Sequence, residues 1–183
     1  MGTCGIQRTY STTTVHQTLM ASIRRIDASE VEEVTKLAHL IWPDTFRAIL
    51  KPEQLQFMLV WMYNPKTLAS QIDSGHQFFL LENEQGNIGY MVVEVTHSSS
   101  NLLKIHKLYL LPSQQGKGYG KLLIEHAVSV ANSYGNSAIT LNVNRFNKSV
   151  KFYQALGFQI TKEEDIDIGL GYLMEDYVME LPI

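Results

Sequence analysis

The residues with the plainest chemistry stand in a row: Gln115-Gly116-Lys117-Gly118-Tyr119-Gly120-Lys121. Alternating glycines let a backbone approach a ligand closely, because no Cβ stands in the way. Before them runs the β-type segment Leu103 to Leu111, and after them Leu123, Ile124, Ala127, Val128, Val130, Ala131 and Tyr134 recur at helical spacing. A helix that starts in such a loop turns unpaired N–H groups and a partial positive charge onto it, an anion site suited to phosphate or pyrophosphate. The spacing is not that of the common nucleotide loops. A dinucleotide fingerprint needs G-x-G-x-x-G, and here the third glycine comes one residue early. A P-loop needs G-x-x-x-x-G-K-[ST], and Gly120-Lys121 is followed by Leu122 with no glycine at the required offset. Lys117, Lys121, Arg145, Lys148 and Lys151 add local positive charge.

The loop sits in an alternation of strand-like and helix-like segments. Ile23 to Ile26 reads as a short strand, and Ser29 with Glu32 as a capping box. Val31, Val34, Leu37, Ala38 and Ile41 then make a helix that Pro43 ends. Pro52-Glu53 opens a second helix through about Tyr63, and a short helical piece reaches Ile72. Gln77 to Glu82 and Ile88 to Val95 form a hairpin around Gln85-Gly86-Asn87. Ile88 to Val93 is apolar on both faces, which predicts a central strand. In Leu103 to Leu111 the period of two breaks near His106-Lys107, the mark of a β-bulge or of a strand buried on both faces. Ile139, Leu141 and Val143 alternate in a further strand, and Val150, Tyr153 and Leu156 share a face of a short helix. Phe158 to Thr161 and Tyr172 to Leu181 are the last strands. The fold class is α/β (α+β), a mixed sheet with helices on both faces.

Composition narrows the function. The 183 residues suit one domain. Fifteen Lys and Arg against eighteen Asp and Glu leave a charge of −3, which argues against nucleic acid as a partner. No apolar run approaches the roughly 18–20 residues needed to span a bilayer, so no membrane partner is expected. Cys4 is the only cysteine and makes no internal disulfide or Cys-based metal site, so a reducing, cytoplasmic setting is expected. Residues 1–20 are Ser/Thr-rich and free of acidic residues. They suit a disordered tail, a presequence or a start-site artefact, the tail being favoured, with the domain running over 21–183.

Two motifs together resemble the GNAT N-acetyltransferase family. Gln115, Gly118 and Gly120 match its acyl-CoA signature, and Asn147, Phe152-Tyr153 and Gly157-Phe158 match a second segment at the expected distance. The element order agrees from Ile23 onward. Asn147 and Tyr153 are six residues apart, where many members have seven. The resemblance implies a mostly antiparallel sheet with a central bulged strand, and acetyl-CoA as co-substrate without a metal. Its pantetheine arm would lie in a wedge beside the bulged strand, on the backbone of Leu108 and Leu110. The amides of Gly116, Lys117, Gly118, Tyr119, Gly120 and Lys121 would hold the pyrophosphate beside Gln115, with Asn147 also toward the coenzyme.

The resemblance further implies direct transfer of acetyl to an amine, with Tyr153 protonating the departing sulfur. A phenol suits that role because it stays protonated at neutral pH. Family members often carry Glu at the positions of Lys104 or His106, and this chain does not. His106, Glu94 or water is left as the base. Cys4 lies in the tail, which argues against a cysteine acyl-enzyme. The acceptor is expected between the first two helices and the last strands, near Trp42, Phe46, Phe57 and Trp61. The acidic ending, with Glu163, Glu164, Asp165, Asp167, Glu175, Asp176 and Glu180 against Lys162, suits a cationic acceptor. Together with a similarity to the polyamine N-acetyltransferase branch, it ranks a small-molecule amine or polyamine above a protein N-terminus. A homodimer stays open, and the alternative to an enzyme is a non-catalytic acyl-CoA sensor of the same fold.

Overall fold

Phe78 and Leu80 turn to one side of a β-sheet while Phe79 and Leu81 turn to the other, and this alternation sets the architecture. The computed structural model describes residues 20–96 and 101–183. It opens with strand β1 (Ala21–Ile26), helices α1 (Val31–Phe46), α2 (Pro52–Tyr63) and α3 (Pro65–Asp73), then strands β2 (Gln77–Asn83), β3 (Gly86–Val95) and β4 (Leu102–Leu110). Helix α4 (Tyr119–Ser133), strand β5 (Ala138–Asn144), helix α5 (Ser149–Ala155) and strands β6 (Gln159–Asp167) and β7 (Leu173–Pro182) follow. The seven strands lie in the order β1-β2-β3-β4-β5-β7-β6. Every pairing is antiparallel except β4 with β5. Helices α1–α3 pack on the face carrying Phe78, Leu80, Tyr90 and Val92, and α4 and α5 on the face carrying Met91, Val93, Leu103 and Ile105. The mixed, mostly antiparallel sheet with helices on both faces is therefore as the sequence reads.

The bulge falls where the parity breaks. Val93 pairs with Ile105 and Val92 with Lys107, so His106 is the extra residue of β4. Parallel pairing of β4 with β5 covers only Leu102–Ile105 against Ala138–Leu141. Beyond it, Lys107 to Leu110 and Asn142 to Asn144 border a common cavity. The Leu111 N–H donates to the Ile88 carbonyl, so Tyr109, two residues earlier, also turns its backbone toward β3. By the same alternation, Leu108 and Leu110 turn theirs toward the gap beside β5.

Three local readings are corrected. Helix α1 does not stop at Pro43 but runs to Phe46. Pro43 is exposed, so the His39 carbonyl that loses its helical partner faces water, and the buried Ile41, Trp42 and Phe46 hold the last turn onto the core. The cap ahead of α1 is Asp27, not Ser29: its carboxylate accepts from the Ser29 N–H at 2.8 Å and from the Ser29 hydroxyl at 2.6 Å. Strand β6 is longer than Phe158 to Thr161 and takes in the acidic run, because Glu163–Asp167 pairs with Leu173–Tyr177. As an edge strand with its side chains mostly exposed, it keeps those charges in water. The tail and Cys4 lie outside the described residues, Met20 excepted. No helix among the described residues is long and apolar enough to cross a membrane.

Candidate active site

The parting of β4 and β5 opens a cavity of about 1030 Å³ that runs from the glycine loop to the C-terminal end of α1. At the loop end, Leu111 enters a single turn of 3-10 helix (Pro112–Gln114), and Gly116 and Gly118 then take φ of +75° and +90°. Gly118 is the N-cap of α4, and the left-handed backbone there is what redirects the chain into the helix. The amides of the first turn have no partner within the helix and are turned onto the cavity mouth. Gly120 faces Phe152 of α5 so closely that a Cβ would come within 2.9 Å of its ring. The motif thus needs one glycine for direction and another so that α4 can pack against α5. Gln115 ties the loop to β4 by donating to the Leu110 carbonyl at 3.4 Å.

Not every side chain expected at this end lines the cavity. Gln115, Gly116, Gly118, Gly120, Lys121, Lys148, Leu108 and Leu110 do. Tyr119 is buried in the core, with its hydroxyl accepting from Asn83 at 3.4 Å, so only its backbone is at the mouth. Lys117 is drawn aside to Gln114 at 3.1 Å. Arg145 is not part of the cavity lining. It is held by Glu163 at 3.0 Å, Glu175 at 3.7 Å and Asp165, and serves to neutralise the β6–β7 edge. Asn147 lines the cavity, while its Oδ1 accepts from the backbone and hydroxyl of Ser149, each at 2.9 Å, and so fixes the start of α5.

Tyr153 is carried on α5 against Phe152 and Phe158 and reaches the cavity at its middle. Burial pushes its phenol upward, so it stays a proton donor across the neutral range. His106 lines the cavity from the bulge, and its Nε2 meets the Glu94 carboxylate at 2.8 Å. Burial pushes the imidazole down to about 4, with Glu94 opposing, so at neutral pH the ring is uncharged. Glu94 is not part of the lining. It stands behind His106, its own carboxyl held low by that hydrogen bond.

Sequence reasoning gives Asp176 only a share in the acidic ending and Lys107 no role. Asp176 is buried, lines the cavity from β7, and its carboxyl is pushed up to about 6, chiefly by burial. In the sequence it is one of a run of acidic residues, and only the alternation of β7 sets it apart, turning Met174 and Asp176 to the α1–α2 side and Tyr177 and Met179 to the other. Lys107 is buried as the second residue of the bulge. It donates to Gln71 at 3.2 Å over the face of Tyr63 at 5.5 Å, and burial lowers it to about 8. No local signal marks it. The far end of the cavity is bordered by Trp42, Phe46, Ile49, Leu50, Met58, Met62, Tyr109 and Met174. Trp42 and Phe46 are therefore where the sequence reading puts them. Phe57 and Trp61 are not: they stack on each other at 6.1 Å, outside the cavity, with Phe57 against Tyr172.

A family model described as an acetyltransferase (GNAT) domain matches residues 46–177. The chain belongs to the GNAT acetyltransferase family. The match takes in β4, the glycine loop, α4, β5 and α5, and so every wall of the cavity except the end of α1 before Phe46. Among curated relatives, the peptidyl-lysine N-acetyltransferase YjaB of Salmonella typhimurium is 32% identical over 87 residues, 46% of this chain and 52% of that protein. The similarity thus spans about half the length of that relative. An uncharacterised N-acetyltransferase of Lactobacillus delbrueckii is 26% identical over 159 residues, 82% of this chain and 92% of that protein. Among solved structures, a PaiA N-acetyltransferase of Thermoplasma acidophilum in complex with coenzyme A superposes with a TM-score of 0.75 at 23% identity, over 89% of this chain and 99% of the other. At that identity the likeness speaks for the GNAT fold.

Proposed function

We propose that this GNAT protein moves acetyl from acetyl-CoA directly to an alkyl primary amine, a small-molecule amine or polyamine ahead of a protein substrate. The observation that carries the reading is one cavity lined both by a backbone anion cradle and by a buried carboxylate, Asp176. The coenzyme brings the activated thioester. Loop amides from Gly116 to Lys121 would take its diphosphate, and the gap-facing backbone of Leu108 and Leu110 its amide-bearing arm. Asp176 supports the preference for an amine, since a buried carboxylate attracts an ammonium group and can then accept its proton. A carboxyl near pH 6 is ionised at neutral pH and still basic enough to act. The freed amine forms the new C–N bond as the C–S bond breaks, Tyr153 donates its proton to the sulfur, and the proton shed by the new amide nitrogen returns to the Tyr153 oxygen. His106 faces the same space from β4 and is the second proton acceptor within reach of the cavity, with Glu94 fixing its ring.

A free small molecule is ranked first on the buried Asp176 carboxylate, with the apolar side chains of Ile49, Leu50, Met62 and Leu173 bordering the same cavity. The likeness to a peptidyl-lysine enzyme keeps a lysine side chain, itself an alkylamine, as the comparison to run. The test is thiol release from acetyl-CoA across alkylamines, polyamines and lysine peptides. The expected result is amine-stimulated release with the highest kcat/KM for a free alkylamine or polyamine. Release stimulated best by peptides would overturn the acceptor class. Tight coenzyme binding with no amine-stimulated release would leave a sensor domain in its place.

A further inference from the structure

Three strands bring His76, Glu94 and His106 together on the α1–α3 side of the sheet. His76 immediately precedes β2, Gln77 pairs with Val93, and Glu94 is the next residue of β3. His106 is the bulge residue of β4, without an opposing partner on β3, so its side chain is free to lean over Glu94. The Nε2 of His106 is 2.8 Å from Oε2 of Glu94, and the Nε2 of His76 is 3.9 Å from the same oxygen. One ligand atom from each of the three lies within 4.8 Å of the other two. The imidazole centroids are 4.7 Å apart.

These separations bracket what a small divalent ion requires. With metal–ligand bonds of about 2.0 Å in tetrahedral geometry, neighbouring ligand atoms stand about 3.3 Å apart. Side-chain shifts of at most about 1.5 Å would meet that. A second observation is the state of His76: its Nδ1 is buried and has no hydrogen-bond partner among the described residues, and its Nε2 is too far from Glu94 for a hydrogen bond. A half-buried imidazole with Nδ1 unpartnered there and Nε2 short of its nearest carboxylate is poorly explained as a structural residue. The three side chains are 15%, 38% and 26% exposed, which leaves an ion a way in.

We infer that His76, Glu94 and His106 form a binding site for a divalent transition metal of the zinc type, with an open coordination position toward the cavity. Two imidazoles and one carboxylate are the ligand set of Zn²⁺ and of non-haem Fe²⁺, while Mg²⁺ and Ca²⁺ prefer all-oxygen sites. The open position follows because, among the described residues, three protein ligands converge and His106 borders the cavity. Lys104 opposes Glu94 across the β3–β4 ladder, and its positive charge keeps the affinity modest. Bound metal would hold the His106 imidazole in place and withdraw it from any proton transfer. The site does not depend on acetyl transfer, so binding of metal is the readout.

The experiment is calorimetric titration of the tag-free full chain with Zn²⁺, with Ca²⁺ as control, in the wild type and in His76→Ala. One equivalent of Zn²⁺ and no Ca²⁺ are expected, with affinity reduced at least about tenfold in His76→Ala. Retained coenzyme affinity shows that the variant is folded. Should it not fold, the wild type still decides: Zn²⁺ should shift the imidazole NMR signals of two of the six histidines. No saturable Zn²⁺ binding, equal affinity in folded His76→Ala, or shifts in a different number of histidines would each overturn the site.

Discussion

The two ends of the cavity are built by different means. At the proposed coenzyme end the working groups would be backbone amides, and what controls them is where the chain has no side chain: Gly118 at φ +90° and Gly120 against Phe152. At the acceptor end they are side chains carried in from α1, α2, β4 and β7, with residues as far apart in sequence as Trp42 and Asp176. A backbone site is contiguous, so one substitution removes it whole. A side-chain site is distributed, and each loss is partial.

The largest effect therefore belongs to the loop. Gly118→Val places a β-branched residue at a positive φ and a side chain at the mouth of the cradle, and should abolish coenzyme binding. Near-normal affinity by calorimetry in a folded Gly118→Val protein would break the contrast. Tyr153→Phe should lower turnover by roughly 10²–10⁴-fold and leave coenzyme affinity nearly intact. Unchanged turnover would remove its acid role.

Asp176→Asn sits at the other end and should cost roughly 100-fold in kcat/KM, the low side of what a general base contributes. It should also flatten the pH profile, because the wild-type rate is expected to climb as the carboxyl ionises through about pH 6. The same shift makes a stability prediction of opposite sense. A carboxyl whose folded pKa is raised favours the protonated fold, so stability is lost as pH rises through about 6. Asp176→Asn should accordingly melt higher than wild type at pH 8, with little difference at pH 4. Equal melting temperatures at pH 8 would show that Asp176 is not desolvated there. The smallest change is expected for Lys121→Ala, at most a few-fold in coenzyme affinity and less at high salt, since Lys121 is exposed and shares its charge with Glu125 at 3.6 Å.

The contrast also explains what could be read beforehand. The cradle, the bulge at His106 and the central β3 leave marks within a few consecutive residues: glycine spacing, a parity break, an apolar run. Asp176 and Lys107 leave none, because their roles come from what another part of the chain lays over them. Asp176 sits in a charged ending that looks solvated, and for β6 it is. Arg145 defeats the sequence reading for the same reason, a cation beside the Asn147 motif that three carboxylates of the β6–β7 edge draw away. Pro43 was overread: at an exposed position a proline removes one hydrogen bond from a helix without ending it.

The short parallel ladder between β4 and β5 has a consequence for folding as well as chemistry. Past Ile105 and Leu141 the sheet stops stitching itself together and leaves a row of amide groups that a peptide-like molecule can match. Pantetheine carries two amides of its own. Docked there as proposed, it would act as a splint across the middle of the molecule, so the halves on either side should become harder to separate as the co-substrate binds. Metabolic supply of the thioester would then set how long the protein lasts in addition to how fast it works.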